Sequence, residues 1–336
     1  METKDTKQTI KPMVINGHIN AVYPALALLA GMELELFSFL GDADKLAEEL
    51  ATEMSISVSK LRPLLYALVA AGLLELDGEK FSNTEESGEF LVKGKPRYFG
   101  DSHSTYHDLW ESTLLTAKSI KIGKPQAKHD FSAMSSEELE GFIMGLDSGA
   151  AATARRLHKT YDFSRFYSIL DGGGGSGGLA VELAKLCSES TATIIDLPNV
   201  ASIARRRVLS SGLGKRINVI EDDLTKLKGH NGIYDAVVLR SLIQVLAPDE
   251  ADSVIKNVSK ILRRFGEAFV VGRVLEDNRL GPLEAVAANV MFLNVYDSGQ
   301  AYTVSEYERW FERHGLMLND KKSLAGGYMM IQFIKS

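Results

Sequence analysis

A run of four glycines, residues 172–175, lies between an apolar segment and a helix-forming segment in the stretch SILDGGGGSGGLAVELAKL, residues 168–186. The apolar residues predict a short strand, and LAVELAKLC after the glycines predicts a helix. Gly172, Gly174 and Gly177 match the G-x-G-x-x-G spacing, which allows a tight turn and a close approach of the backbone to a nucleotide-like ligand. The helix start behind this turn offers free N–H groups to an anion. The stretch therefore predicts an α/β fold that binds an adenosine-containing ligand.

Length and composition indicate a globular protein of two domains. The chain has 336 residues, 45% of them hydrophobic and 24% charged, with a formal net charge of −6. This charge does not favour nucleic acid as the main partner, because phosphate binding needs clustered lysine and arginine. The single cysteine, Cys187, cannot form an intramolecular disulfide, and the helical pattern around it predicts burial.

The first residues, METKDTKQTIKP, lack the apolar core of a secretory signal. Residues 22–40, VYPALALLAGMELELFSFL, include Glu33 and Glu35, and we expect a buried amphipathic helix there rather than a membrane span. These features predict a cytoplasmic protein without a membrane partner.

Residues 1–100 carry the pattern of a winged helix. Two helical segments follow candidate N-caps at Asp42 and Ser57, and alternating residues then flank a hairpin turn at Asp77 and Gly78. A winged helix that binds DNA presents polar and basic residues on its second helix. Here that helix is apolar on nearly all sides, so we expect packing or dimerisation, with DNA binding as the alternative.

The remaining chain divides into two further parts. Residues 101–165 predict helices that link the domains and roof a substrate pocket, with a break at residues 123–125 and a capping box formed by Ser135 and Glu138. From residue 166 to 336, strands alternate with helices, as expected for a parallel sheet with crossover connections.

The later strands of this sheet carry polar residues at their ends. Asp196 ends TATIID, about twenty residues after the glycine turn, where a carboxylate can bind both ribose hydroxyls; the alternative is that it caps a helix beginning near Pro198. The next strand ends in Asp223 and Leu224, and the strand YDAVVLR brings Arg240 and, just beyond it, Gln244 to the same edge. After these, residues 317–336 predict an antiparallel hairpin. Seven strands closed by a reversed hairpin are typical of S-adenosyl-L-methionine (SAM) methyltransferases rather than of dinucleotide-binding proteins.

The chain resembles the winged-helix-fused class I SAM-dependent O-methyltransferases, the plant caffeic-acid type and their bacterial natural-product relatives. LDGGGGSGG, DLPNV, EDDL and YDAVVLRSLI are similar to the motifs of that family, and MELELFSFL and the wing are similar to its dimerisation domain. The resemblance implies a Rossmann-like domain with a seven-stranded sheet, an N-terminal helical dimerisation domain and a homodimer. It further implies SAM contacts at nine positions: Gly173, Gly174, Gly175, Gly177, Asp196, Leu197, Asp223, Leu224 and Arg240.

The chain departs from that family at the catalytic positions. Gln244 stands where the family has a histidine that removes the acceptor's proton, and Gly272 and Ala301 stand where two acidic residues orient that histidine. An amide can position an acceptor by hydrogen bonding but cannot take its proton. We therefore expect an acceptor that is already nucleophilic, methylated through proximity and alignment.

Other side chains are candidates for the acceptor pocket. His103 and His107 are spaced by four residues and are candidates for a substitute base or a substrate contact; without a third ligand we expect no metal site. The predicted pocket walls are aromatic or flexible residues: Trp110, Met291, Phe292, Tyr296 and Tyr302.

These observations predict a SAM-dependent methyltransferase acting on a small aromatic or thiol-like acceptor. A SAM-binding enzyme that decarboxylates, hydroxylates or catalyses a pericyclic step is one alternative, because the base is absent. A SAM-sensing DNA-binding regulator is the other.

Overall fold

The structure is a computed structural model, and it describes residues 10–227 and 232–336. The chain divides into two compact units, residues 1–103 and 104–336. Each unit is described separately below.

Within its described residues, 10–103, the first unit combines six α-helices with a small antiparallel sheet. Its helices are α1 (Met13–Asn20), α2 (Val22–Glu33), α3 (Leu36–Leu40), α4 (Ala47–Glu53), α5 (Val58–Ala70) and α6 (Glu85–Phe90). Its strands, β1 (Lys45–Leu46), β2 (Leu74–Asp77) and β3 (Lys80–Asn83), form a sheet in the order β1-β3-β2. Asp77 pairs with Lys80, so the hairpin predicted at Asp77 and Gly78 is confirmed, and Gly78 takes the positive φ of 61° that this tight turn requires.

The two predicted N-caps of this unit have different outcomes. Ser57 directly precedes α5, as expected. Asp42 is not a cap, because α4 begins only at Ala47 and the two residues before it, Lys45 and Leu46, pair with β3. Glu49 accepts a hydrogen bond from the N–H of Leu46 at 2.8 Å and so satisfies the start of this shorter helix.

The apolar segment at residues 22–40 is not the single buried helix that we predicted. Glu35 has a φ of +53°, which separates α2 from α3. The apolar side chains Val22, Tyr23 and Leu26 at the start of α2 are exposed, and α1 has no buried residue. In the part of the chain that the structure describes, Met13–Glu33 is one helical stretch whose length and composition would suffice to cross a membrane.

The second unit is a mixed sheet flanked by helices. Its helices are α7 (His103–Thr113, whose first residue lies in the first unit), α8 (Thr116–Ile122), α9 (Ser136–Gly145), α10 (Asp147–Tyr161), α11 (Gly178–Leu186), α12 (Pro198–Ser210), α13 (Pro248–Ile261), α14 (Leu283–Val295) and α15 (Val304–Arg313). Its strands are β4 (Ser168–Gly172), β5 (Thr191–Asp196), β6 (Ile217–Glu221), β7 (Tyr234–Arg240), β8 (Leu262–Leu275), β9 (Tyr302–Thr303), β10 (Leu316–Ser323) and β11 (Tyr328–Lys335).

The strand order is β10-β11-β8-β7-β4-β5-β6, and the two-residue strand β9 pairs with β8. Strands β4 to β8 are parallel, whereas β11 is antiparallel to both β8 and β10. The predicted seven-stranded sheet with a reversed C-terminal hairpin is therefore confirmed, with β9 as an addition.

Local signals in the helical segment and around the cysteine are also confirmed. Gly123 ends α8 with a φ of +72°, and Ser135 forms the capping box of α9 with Glu138. Cys187 is buried, with its Sγ 3.6 Å from Nδ1 of His158.

The carboxyl ends of the parallel strands lie along one edge of the sheet. Since neighbouring strands are in register, the residues along this edge follow the strand order from β11 to β6: Tyr328, Arg273, Arg240, Gly172, Asp196 and Glu221. Ligands of open α/β sheets bind in the crevice outside this edge, so the candidate site lies here.

Candidate functional site

The turn between β4 and α11 contains several positions that only glycine can occupy without strain. Gly173, Gly175 and Gly177 have φ values of 68°, 59° and 81°, which L-residues with a side chain rarely adopt. A Cβ on Gly174 would lie 2.8 Å from Ile194 and 3.0 Å from the Asp171 carboxyl carbon. The backbone of this turn therefore carries no side chain that would keep a ligand away. The N–H of Gly178, the first residue of α11, donates to Oγ of Ser176 at 3.2 Å.

The Asp196 carboxylate at the end of β5 supports this turn. Its Oδ2 accepts a hydrogen bond from the N–H of Gly175, and its Oδ1 accepts one from Leu197, both at 2.8 Å. Burial raises the pKa of Asp196 to about 6, although these two hydrogen bonds oppose the shift. Leu197, not Asp196, occupies the N-cap position of α12 and is 39% exposed. The alternative that Asp196 serves only as a helix cap is wrong.

Asp171, immediately before the glycines, is a residue that the sequence analysis missed. Its side chain is 1% exposed, and Oδ2 has no hydrogen-bond partner among the described residues. Burial raises the pKa of Asp171 to about 7; the positive charge of Arg240 opposes the shift and Asp196 adds to it. A buried carboxylate with an open oxygen fits a ligand that carries positive charge, such as a sulfonium or an ammonium group.

Asp223 and Leu224, at the far end of the edge, have largely local roles. Asp223 accepts hydrogen bonds from Thr225 N at 2.9 Å and its Oγ1 at 2.6 Å, and Nζ of Lys226 lies 3.0 Å away. Burial raises the pKa of Asp223, but these partners outweigh it, so the net shift is downward. Leu224 is 6% exposed in the main core, where its side chain packs under Gly172. The contact of Leu224 with a ligand stays a prediction.

Arg240, at the end of β7, points toward α10. Its Nε donates to Oγ1 of Thr153 at 3.1 Å, and a Cβ on Gly149 would lie 2.9 Å from its Nη2. The missing side chain at Gly149 therefore leaves room for the guanidinium. Its positive charge opposes the rise in the pKa of Asp171.

Gln244 is buried and anchored to the next strand. Its Oε1 accepts a hydrogen bond from the main-chain N–H of Arg273 at 2.8 Å. A Cβ on Gly272 would lie 2.7 Å from the same oxygen. No hydrogen bond from Nε2 of Gln244 to an acceptor is found among the described residues, so the amide keeps N–H donors for another partner. Ala301, the third departure from the family pattern, is fully buried.

Aromatic side chains lie on α7 and at the start of β11. The rings of Tyr106 and Trp110, one turn apart on α7, are 5.7 Å apart. The guanidinium of Arg273 lies over the ring of Tyr328 at 4.7 Å and donates to the carbonyl of Gly326. Burial raises the pKa of Tyr106, and the charges of Arg273 and Arg240 oppose the shift.

The other predicted wall residues lie in two places. Phe292, Tyr296 and Met291 belong to one cluster, and the rings of the first two are 5.8 Å apart. Tyr302 instead lies in the main core, where its hydroxyl donates to the carbonyl of Leu246 at 2.7 Å and its ring packs against Trp310. Packing against α15, which sequence spacing does not reveal, sets this position.

The two candidate histidines have different surroundings. Nδ1 of His103 lies 3.0 Å from the carbonyl of Gly100, whereas His107 is 57% exposed with its Nε2 4.0 Å from Glu111. Within residues 10–227 and 232–336 there is no group of three or more His, Cys, Asp or Glu side chains that could hold a metal ion.

A third histidine, His129, was not singled out in the sequence. It is buried, and its Nε2 lies 2.7 Å from Oδ2 of Asp108, out of line for a regular hydrogen bond. Its ring packs edge-on against Phe142 at 4.8 Å and Tyr296 at 5.9 Å. His129 lies in a loop and belongs to no sequence motif, so its contact with Asp108 could not be predicted from the sequence.

Comparisons with known proteins agree with this geometry. The model of a family described as the O-methyltransferase domain matches residues 120–317. The 3-hydroxy-5-methyl-1-naphthoate 3-O-methyltransferase of Streptomyces sahachiroi is 27% identical over 309 residues, which is 90% of this chain and 89% of that protein. The N,N-dimethyltransferase OxyT of Streptomyces rimosus is 25% identical over 323 residues, 93% of each chain.

One solved structure with the same fold is human N-acetylserotonin methyltransferase in complex with SAM. It superposes with a TM-score of 0.83 at 22% identity and covers 100% of both chains. At that identity the likeness establishes the fold, which is the class I methyltransferase fold predicted from the sequence.

Proposed function

The chain belongs to the O-methyltransferase family, and we propose that it transfers the methyl group of SAM to a small, already nucleophilic aromatic or thiol-like acceptor. The observation that carries this proposal is the combination of a glycine turn without side chains, the buried carboxylate of Asp171 and the half-buried carboxylate of Asp196 with an amide, Gln244, where a base would stand. The relatives named above are methyltransferases of oxygen and of nitrogen, so membership alone does not identify the methylated atom.

The glycine turn and its neighbours would hold the methyl donor. Asp196 would bind the ribose hydroxyls, Asp171 and Arg240 would face the charged methionine end, and Gly173 and Gly175 would let the backbone approach. Leu197, exposed beside the turn, would contact the adenosine. When bound, SAM supplies an activated methyl group on a sulfonium.

Gln244 would orient the acceptor rather than deprotonate it. Its oxygen is held by Arg273, so its nitrogen is the free end and donates to an acceptor oxygen. General-base help is commonly worth about 10²–10⁴ in rate, and positioning of the reacting groups can exceed it. An acceptor that binds as an anion or a free nucleophile therefore needs no protein base.

Assembly and location are part of the same proposal. The family resemblance implies a homodimer through the N-terminal domain, and the exposed apolar residues of α1 and the start of α2 supply a surface for it, including Val14, Ile15, Ile19 and Tyr23. We propose a cytoplasmic homodimer. The relatives bear names of methyltransferases, which gives no support to a non-methylating enzyme or to a DNA-binding regulator.

The test is transfer of label from methyl-labelled SAM to a panel of phenols, thiols and amines. Asp196→Ala should abolish SAM binding measured by calorimetry, whereas Asp320→Asn, on the distant hairpin strand β10, should leave it unchanged. Tight SAM binding without transfer to any acceptor would refute a methyltransferase. Normal SAM binding by Asp196→Ala would refute the placement of the donor.

A further inference from the structure

Asn294, in the last turn of α14, is a polar side chain without exposed surface. Its Nδ2 donates to the main-chain carbonyl of Val290 and to Oγ1 of Thr116, both at 2.8 Å. Its Oδ1 accepts a hydrogen bond from Oγ of Ser119 at 2.6 Å. Both N–H groups and the oxygen of this amide therefore have partners inside the protein, one on its own helix and two on α8.

The two hydroxyl contacts fix the register of α14 on α8. A shift or rotation of either helix would separate the amide of Asn294 from Thr116 and Ser119, and buried polar groups would lose their partners. An apolar side chain of similar size would fill the same space but would tolerate other registers, because apolar contacts are not directional. Asn294 therefore disfavours every other arrangement of the two helices.

The chain that follows α8 also contacts the end of α14. The N–H groups of Ala127 and His129 donate to the carbonyls of Asn294 and Val295 at 3.0 and 2.9 Å. These carbonyls belong to the last turn of α14, where no partner is available within the helix. Residues 116–129 thus contact the end of α14 through side chains and through the main chain.

The end of α14 determines where the next segment lies. Residues 296–301 leave the last turn of α14 and return to the same helix, because the N–H of Ala301 donates to Oδ1 of Asn289 at 2.7 Å. Within this segment Gly299 lies against Gln244, since a Cβ on Gly299 would be 2.9 Å from the main-chain oxygen of Gln244. A change in the position of α14 therefore moves the segment that contacts Gln244.

We propose that Asn294 is a positioning residue for methyl transfer, whose buried amide fixes α14 on α8 and so holds residues 296–301 against Gln244. This inference rests on the proposed methyltransferase function and adds to it a residue that acts through two helices. The same contacts join two predicted walls of the acceptor pocket, since α14 carries Phe292 and α8 follows α7, which carries Trp110. Transfer by alignment is sensitive to such contacts, because a misplacement of about 1 Å can cost about 100-fold in rate.

The experiment separates the directional hydrogen bonds from the filling of space. Asn294→Leu removes the amide, keeps a side chain of similar size and leaves the Ser119 hydroxyl buried without its partner. Adding Ser119→Ala to this variant should recover most of the lost stability, because replacing both partners by apolar groups is nearly neutral. It should not restore the register of the two helices. Ser119→Ala alone removes one of the three side-chain hydrogen bonds of Asn294.

Gln332→Leu is the control. Gln332 is also buried, and its side chain is hydrogen-bonded to Asn319 at 2.7 Å and to Glu267 at 2.5 Å in the middle of β11. Each variant is measured for kcat/KM with the most active acceptor of the panel and for the Kd of S-adenosylhomocysteine by calorimetry. Amide hydrogen exchange of residues 124–131 and 294–303 is followed by mass spectrometry, which reports local opening even where no transfer occurs.

We expect Asn294→Leu and the double variant to reduce kcat/KM for the acceptor about tenfold or more and to speed exchange in both segments by a similar factor. The Kd of S-adenosylhomocysteine should stay within about twofold, because none of these contacts involves the glycine turn. Ser119→Ala should have a smaller effect in the same direction. If Asn294→Leu alone does not fold, the double variant and Ser119→Ala test the inference. Gln332→Leu should retain the wild-type kcat/KM and the wild-type exchange in both segments.

A double variant with wild-type kcat/KM and exchange would overturn the inference and leave the methyltransferase function standing. An equal loss of kcat/KM in Gln332→Leu would also overturn it, because general destabilisation would then explain both. If the wild type methylates no member of the panel, the proposed function is refuted. Faster exchange in the double variant would in that case still support Asn294 as the residue that fixes the two helices, and unchanged exchange would refute this as well.

Discussion

Oε1 of Gln244 accepts a hydrogen bond from the main-chain N–H of Arg273 at 2.8 Å, and the missing side chain of Gly272 leaves the room for it. The family resemblance implies a histidine at the first position and an acidic residue at position 272. Here the two changes fit each other, because the amide bonds to the backbone of β8 at the place where a side chain on residue 272 would stand. The departures therefore form a consistent local structure without a base.

Gly272→Ala should destabilise the second unit by about 1–3 kcal/mol, because the added Cβ would lie 2.7 Å from Gln244 Oε1 and displace it from the buried N–H of Arg273. The free energy of unfolding in denaturant measures this. Gly141→Ala is the control, since a Cβ there meets nothing within 4 Å and the position lies inside α9. That substitution should stabilise the protein by about 1 kcal/mol. If the two substitutions changed the free energy of unfolding equally, the Gln244 side chain would not need a glycine at position 272.

Gln244→Glu should fold normally and reduce methyl transfer about tenfold or more. The carboxylate keeps an oxygen for the N–H of Arg273, but it loses the donor that faces the site and adds negative charge there. Thermal unfolding and kcat/KM separate the two effects. Gln126→Glu, at a site where the amide donates only to nearby main-chain carbonyls, is the control and should retain full activity. Full activity of Gln244→Glu would show that this side chain only fills space.

SAM binding should weaken as the pH falls through 7 and 6. Burial raises the pKa of Asp171 to about 7 and that of Asp196 to about 6, so both lose negative charge in this range. Each pKa lies above the ordinary aspartate value of 3.8, so the free protein is stabilised by protonation of these groups below about pH 3.8 and loses that contribution as the pH rises through 6 and 7. A bound cationic ligand instead favours the ionised carboxylates of Asp171 and Asp196, because it attracts their negative charge.

Calorimetric Kd values between about pH 5.5 and 8 check this expectation, with a tenfold loss per pH unit as the limit for one required ionisation. Asp171→Asn should bind SAM more weakly at high pH and show a smaller pH dependence. An identical pH dependence in wild type and Asp171→Asn would exclude Asp171 as a ligand of the charged end.

The sequence was sufficient for features that depend on neighbouring residues. The turn at Gly173 and Gly175, the hairpin at Gly78 and the break at Gly123 each follow from the backbone freedom of glycine, and all were predicted correctly. The position of Asp196 beside the glycine turn was predictable because it lies about twenty residues further along the chain, at the end of the adjacent parallel strand.

Features that depend on distant packing were not predictable in this way. The pairing of Lys45 with Phe81 shortened α4 and removed Asp42 as its cap. Packing under Gly172 drew Leu224 into the core, and packing on Trp310 did the same to Tyr302. These contacts join segments far apart in sequence, so no local pattern records them.

The contact between Asp108 and His129 should stabilise the second unit and improve acceptor binding. It joins α7 to a loop that is itself bonded to the end of α14, where the N–H of His129 donates to the carbonyl of Val295 at 2.9 Å. Tyr296 follows directly, and its ring packs on His129 at 5.9 Å. Loss of the contact should let α7, which carries Tyr106 and Trp110, move away from the acceptor space.

A double-mutant cycle with Asp108→Asn and His129→Asn should give a coupling free energy of about 1 kcal/mol, the size expected for a half-buried contact between polar side chains. Both single variants should raise the KM for the acceptor without changing the Kd of SAM, because the pair contacts α7 and Tyr296, which belong to the predicted acceptor pocket, and not the glycine turn. Asp252→Asn is the control. Oδ1 of Asp252 contacts His314 at 3.2 Å and Arg313 at 2.9 Å, so the substitution weakens two contacts between α13 and the end of α15. Asp252→Asn should lower the free energy of unfolding by at least as much, with no change in the KM for the acceptor. If Asp252→Asn raised this KM as much as Asp108→Asn does, general destabilisation and not the position of α7 would control acceptor binding.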